Sequence, residues 1–164
     1  MIVVSNTSPI SNLAKVEQLN LIYQLYGRIL IPCAVHEELL DRRAGDTVIT
    51  AVGSATWIDI QSVQNQRLVD DLRIRVNVGE AEAIALAIEI KADRLIIDER
   101  LGRQAARDFG VKITGVLGIL LLAKRQKLIL EVQPIMDHLI ERANFRISSQ
   151  LYADVLMAAN ESVT

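Results

Sequence analysis

Short apolar runs alternate along the chain with longer stretches whose apolar positions recur every three or four residues. Residues 2–5, 28–31 and 94–98 are apolar runs followed by polar residues and a helical pattern, and each reads as a parallel strand. Residues 57–60 alternate like an added strand, and 112–114 read as one more. Between the first two runs, Ile10, Leu13 and Ala14, and then Leu21, Ile22 and Leu25, each form one helical face for burial, and Gly27 fits a helix stop. Pro32 opens a turn into a helix over 34–43, which Gly45 ends before a weaker segment running to Ser54. Gly79 precedes an alanine-rich helix over 80–91, whose small side chains permit close packing on a sheet. From Val116 onward the pattern is helical: one helix to Gln126, a second around 135–143, and a third opening at Ser148 or Ser149. Strand and helix in alternation predict an α/β fold, a three-layer α/β/α sandwich around a central, mainly parallel sheet. Its crossovers are right-handed and its working edge lies at the strand carboxyl ends. The expectation is one domain over residues 1–164, with a helical carboxyl-terminal portion from about 116.

Composition narrows this picture only modestly. With 164 residues, 51% of them hydrophobic, the chain suffices for one ordinary core. A net charge of −2 excludes coating of nucleic acid through overall charge, so any such contact has to come from local patches. No basic region precedes an apolar stretch at the start. The longest apolar run, 115–123, is about half of the roughly twenty residues that span a bilayer. A cytoplasmic protein without a membrane span is expected. The lone Cys33 has no zinc-like spacing around it and reads as a small buried hydrophobe, and Trp57 reads as a packing residue.

The candidate chemistry is acidic. Asn6 and Ser8 follow the first predicted strand, and Glu37 and Glu38 lie in the helix after the second. Glu80 and Glu82 open the alanine-rich helix, and Asp98 and Glu99 end the third strand. Each acid singly suits the first turn of a helix through the macrodipole. Convergence in one cleft would instead make them repel one another unless protonated or neutralised, and an all-oxygen set favours Mg²⁺ or Mn²⁺ over zinc. Such a cation serves phosphate-ester hydrolysis without a cysteine or histidine nucleophile. Neighbours 80 and 82, like 37 and 38, cannot both point one way from a helix, so at most one of each pair is a direct ligand.

At these residues the chain resembles the PIN-domain family, and within it a prokaryotic branch similar to the toxins of toxin-antitoxin pairs. The resemblance rests on V-V-S-N-T-S-P-I-S-N-L-A-K, L-Y-G-R-I-L-I-P-C-A-V-H-E-E-L, G-E-A-E-A-I-A-L-A, and L-I-I-D-E-R-L-G-R-Q-A-A followed by K-I-T-G-V-L-G-I-L-L-L-A-K, with F-R-I-S-S-Q-L-Y as a fifth stretch. It implies a metal-dependent endoribonuclease whose acids hold Mg²⁺ or Mn²⁺ and activate water for in-line attack, leaving a 5′-phosphate. The family's acidic positions fall on Asn6, Glu38, Glu80 and either Asp98 or Glu99, with Ser8 as the supporting hydroxyl. Implied partners are RNA and a small antitoxin protein, and the apolar helical surface separately suggests a second copy of the chain. Asn6 departs from the aspartate usual at the first position: an amide oxygen can ligate a metal but brings no charge and cannot act as a base. That departure opens a second reading, a domain that binds RNA or an antitoxin without cutting. A third is a purely structural dimerisation protein.

Other polar residues divide between chemistry and ordinary structure. Arg100, Arg103 and Arg107 follow the third strand at helical spacing and could face a phosphate backbone, Arg103 being the favoured contact one turn past the acids. Lys124, Arg125 and Lys127 suit the end of a helix. His36 and His138 lack partner spacing and read as surface or packing residues. Ser8, just before Pro9, reads as a helix N-cap.

Overall fold

The computed structural model describes residues 1–162. Five short strands form its centre: β1 (Val3–Ser5), β2 (Ile29–Ile31), β3 (Ile58–Ile60), β4 (Arg94–Ile96) and β5 (Ile113–Thr114). They lie side by side in the order β3-β2-β1-β4-β5, every pair parallel. Val4 sits between Leu30 and Leu95 in register, and Leu95 in turn opposes Ile113. Strands covered on both faces read as continuous apolar runs, which is why these were visible in the pattern. β1, β2, β3 and β5 each begin one residue later than predicted, and β4 ends two residues earlier, at Ile96, where the chain passes to the sheet's carboxyl edge. There the Asn6 N–H still donates to the Ile96 carbonyl at 2.9 Å and the Ile97 N–H to Thr114 at 2.8 Å.

Helices α1 (Thr7–Lys15) and α2 (Asn20–Tyr26) join β1 to β2; α3 (Cys33–Leu40) and α4 (Asp46–Ser54) join β2 to β3. Helices α5 (Gln66–Leu72) and α6 (Val78–Glu89) lead to β4, and α7 (Arg100–Asp108) leads to β5. The chain steps one way across the sheet from β1 to β3 and the other way from β4 to β5. Helices α1 and α4 pack together on one side, α5 to α7 follow one another on the other, and α3 touches both groups, meeting α1 and α4 as well as α6, in a three-layer sandwich. Helix α8 (Val116–Arg125) packs against α1 and α2; α9 (Gln133–Arg142) touches α1, and α10 (Ser149–Ala158) touches α8. In α6 every residue from Gly79 to Ala87 except Glu82 is buried, and its alanines let it lie close to β1 and β4.

Several local expectations are corrected. The helix over 34–43 stops at Leu40, because the Asp41 carboxylate accepts the Arg43 N–H at 2.9 Å and starts a separate 3-10 turn over Arg42–Ala44. Helix α5 was not anticipated, although Asn65 accepts the Leu68 N–H as its cap and Val69 and Leu72 form its buried face. Ser8 is not an N-cap: α1 begins at Thr7 with Asn6 in the capping position, which leaves the Ser8 hydroxyl free for another partner. Cys33 is only half-buried, its sulfur 3.5 Å from the Ser62 hydroxyl at the start of α3. Trp57 is a packing residue, its ring centroid 5.6 Å from that of Tyr23. Lys124 and Arg125 close α8 as expected, and Lys124 also pairs with Glu161 at 2.9 Å. The Glu161 carboxylate further accepts the Val132 and Gln133 N–H groups, which ties the end of the chain to α9. No helix among the described residues is long and apolar enough to cross a membrane.

Candidate active site

The direction of travel across the sheet reverses between β1 and β4, and the crevice beyond the carboxyl ends of two such strands is where an open α/β sheet leaves room for a ligand. Three polar side chains are buried among the described residues, Ser5, Asn6 and Glu80, and all of them stand at this edge. A cleft of about 1020 Å³ opens there, with Thr7, Ser8, Asp98, Glu99 and Arg103 at one end.

Each acid is held by a different element. Glu38, on α3, accepts the Thr7 hydroxyl at 2.7 Å, and its other oxygen lies against Gly79. Glu80 enters from the first turn of α6, whose start is fixed by Asn77: the Asn77 side chain accepts the Glu80 N–H at 2.9 Å, while the Asn77 N–H faces the Glu80 carboxylate. This reciprocal cap also explains part of why a glutamate stands there. Burial pushes the Glu80 carboxyl above its ordinary pKa; the Asn77 N–H opposes this, and the negative charges of Glu99 and Glu38 push it further up.

Asp98 follows β4 and reaches across to the start of α8. One of its oxygens accepts the Val116 N–H at 3.0 Å, and the other is buried without a partner. Burial raises its pKa to about 6 against the opposing pull of the Val116 N–H and the Arg103 guanidinium, with Glu99 adding to the rise. Arg103, one turn into α7, donates to the Ile97 carbonyl at 3.0 Å and so is fixed beside Asp98. Glu99 is exposed and accepts a long bond, 3.4 Å, from the Ser8 hydroxyl. It borders the cleft on one side and, with Glu80 and Arg100, a smaller hollow on the other.

Glycine makes this proximity possible. A Cβ at Gly79 would collide with the Glu38 carboxylate, one at Gly115 with that of Asp98, and one at Gly102 would stand 2.6 Å from a Glu80 oxygen. None of the three has a positive φ; the missing side chain is what matters. Each carboxylate thus occupies a notch that any other residue would fill.

The edge therefore gathers Asn6, Ser8, Glu38, Glu80, Asp98, Glu99 and Arg103. Arg100 is exposed at the hollow beside Glu80, and Arg107 is exposed further along α7. Glu37 is exposed, and Glu82 turns away to accept the Ala34 N–H at 3.1 Å, so each helical pair divides as its spacing required. His36 and His138 are half-buried and line no part of the cleft. Sequence reasoning missed Thr7, Asn77 and the glycine notches. Of these only Asn77 had a legible signal, Asn-x-x-Glu ahead of an apolar run. Asn77→Ala is expected to lower stability by about 1 kcal/mol, read as a smaller urea midpoint with unchanged slope.

Among the described residues, no three histidine, cysteine, aspartate or glutamate side chains stand together closely enough to hold a metal ion directly. The donor chemistry still fits a hard divalent cation. Mg²⁺ commonly keeps several waters and uses one or two carboxylates, and here a buried carboxylate oxygen has no partner while like charges crowd Glu80. Glu38, Glu80, Asp98 and Glu99 are the residues that could hold it. A family model described as a PIN domain matches residues 2–161. The comparison with curated proteins returned no match.

Proposed function

Because this chain belongs to the PIN-domain family, whose fold is of nuclease type, we propose that it is an endoribonuclease dependent on Mg²⁺ or Mn²⁺. The observation that carries this reading is the unpartnered, buried oxygen of Asp98, which lines the cleft beside Glu99, while Glu99 and Glu38 in turn crowd Glu80. Asp98, Glu80, Glu38 and Glu99 are the carboxylates that would hold the cation, one or two of them directly and the others through its waters, with the Asn6 amide oxygen as a neutral candidate. Thr7 steadies Glu38, and Ser8 steadies Glu99. A divalent cation held by these residues would supply polarisation of the phosphodiester and a water of lowered pKa. The chain's own part is to hold the phosphate near that water, with Arg103 and Arg100 offering positive charge on either side of the acids. The matching sequence blocks further support a cytoplasmic toxin restrained by a small antitoxin. The exposed apolar Ile140 and Met157 suit a second copy of the chain.

A binder that does not cut is the second reading, favoured by one observation: Asn6 is buried at the centre of the edge and adds no charge. Purified protein incubated with single-stranded RNA separates the two. Cleavage with Mn²⁺, none with a chelator, and none after Asp98→Asn is the expected result. A silent natural protein that cuts once Asn6→Asp is introduced would establish the binder instead. Cleavage unaffected by Asp98→Asn would remove the assigned site.

A further inference from the structure

The cleft that begins at Asp98 and Glu99 continues well past them, between α1, α8, α10 and the turn joining α9 to α10. Its lining includes Lys15, Arg103 and Arg146. Arg103 is engaged with the Ile97 carbonyl, but among the described residues Lys15 and Arg146 form no ion pair. Lys15 closes α1, where the helix dipole favours a cation, yet this does not explain a second unpaired cation arriving from a different segment.

Phe145 lines the same cleft, half-buried against the core, with its backbone fixed by an N–H bond to the Leu139 carbonyl at 3.1 Å. The preceding Asn144 takes a φ of 52°, a left-handed conformation that asparagine tolerates better than most residues, and this turns the chain so that Phe145 reaches the cleft. Asn12 and Asn144 add amide donors and acceptors to the lining. An aromatic side chain, edge-reading amides and uncommitted cations in one groove are what unpaired bases on a phosphate backbone require. The carboxylates in the lining, Asp98 and Glu99, stand at the candidate metal end. Away from that end the only charged side chains among the described lining residues are the cations Lys15 and Arg146, set beside apolar Leu117, Leu121, Leu151 and Val155; with no acid among them, this stretch favours an anion-bearing ligand.

We propose that this cleft seats the unpaired nucleotides on one side of the cleaved bond, Lys15 and Arg146 contacting phosphates and Phe145 stacking on a base. The proposal rests on the nuclease reading for its direction, since the path must lead to the acids. It makes the chain selective for single-stranded RNA: bases already stacked in a duplex cannot reach Phe145.

Binding of a fluorescent oligouridylate to the Asp98→Asn protein, in Mg²⁺ at several salt concentrations, tests it without cleavage. Lys15→Gln combined with Arg146→Gln is expected to weaken binding at least about tenfold and to reduce the slope of log K against log salt by about 1.4, two contacts at roughly 0.7 each. Phe145→Ala is expected to weaken binding about tenfold with the slope unchanged, Phe145→Trp to retain it, and duplex RNA to compete poorly. Thermal melting of each variant shows whether it is folded, and the tryptophan variant carries the stacking test if the alanine one is not. Unchanged binding in all variants, or equal competition by duplex, overturns the path. So does a parent that binds no oligonucleotide, which leaves the cleft to a peptide partner. Cleavage by the chain with Asp98 intact is scored separately with Mn²⁺: cleavage alongside unaffected variants overturns the path alone, and path-dependent binding without cleavage overturns only the nuclease reading.

Discussion

Asp98→Asn is expected to make the metal-free protein more stable at pH 8, by about 2 kcal/mol, while reducing cleavage by a hundredfold or more. The two effects share one cause. A carboxylate whose pKa is raised to about 6 is ionised at pH 8 against the resistance of its surroundings. The folded form holds this proton to higher pH than the unfolded chain, in which aspartate titrates near 4. In that window the native state carries more protons, so stability falls as pH rises from about 4 through about 6 and stays reduced above it. The asparagine variant still accepts the Val116 N–H through its Oδ1 and lacks the charge, so this slope should be missing from its melting curves. Its second polar atom inherits the unpartnered position of Oδ2, which keeps the gain below the full two-unit value of about 3 kcal/mol. For a chain of this size, 2 kcal/mol corresponds to a rise of roughly 4–8 °C in Tm. Mg²⁺ should stabilise the wild type more than the variant, because binding to the folded form alone adds stability through mass action. A variant that is less stable than wild type at pH 8 would show that the Asp98 charge is already compensated within the chain.

Asn6→Asp tests the same balance from the opposite side. Asn6 is 3% exposed, and converting its amide to a carboxylate adds a further negative charge at the edge where Glu99 and Glu38 already push the Glu80 pKa up. An uncompensated buried charge of this kind is expected to lower metal-free stability by about 3 kcal/mol, and less at pH 5, where Asp98, with its pKa raised to about 6, is mostly protonated. Saturating Mn²⁺ should reverse most of the loss. The Mn²⁺ concentration at half-maximal stabilisation should fall roughly tenfold, since an added anionic ligand strengthens binding of a hard cation. Cleavage should rise in parallel if the amide limits the natural protein. A variant destabilised equally with and without Mn²⁺ would place position 6 outside the ligand set and leave Asn6 as a structural end to β1.

The glycine notches give these charge effects their geometry. Gly115 separates Asp98 from Arg103: a Cβ there would meet the Asp98 carboxylate and stand 2.8 Å from the Arg103 guanidinium. At Gly102 the Glu80 oxygen and the Ile97 side chain both come within 2.6 Å of that position. The acids are thus placed by close backbone approach between α6, α7 and the start of α8.

The sequence by itself determined the five strands, their parallel arrangement and the alanine-rich helix, because a strand buried on both faces has to be apolar along its length and α6 has to be small to lie beside it. Position just past strand ends and in first helical turns brought forward Asn6 and the pairs Glu37 and Glu38, Glu80 and Glu82, and Asp98 and Glu99, and the family resemblance favoured Glu38 and Glu80 within theirs. Spacing could say only that one member of each pair turns inward; the tertiary structure gives the physical reason that it is Glu38 rather than Glu37 and Glu80 rather than Glu82. That choice depends on helix phase relative to neighbours: Thr7 lies more than thirty positions before Glu38, and Ala34 lies 48 positions before Glu82. The burial that lifts the Asp98 pKa, the Asn77 cap over Glu80 and the notches at Gly79, Gly102 and Gly115 likewise arise between segments distant in the chain. Local pattern records what a residue can do, whereas desolvation and close approach exist only once those segments are packed together.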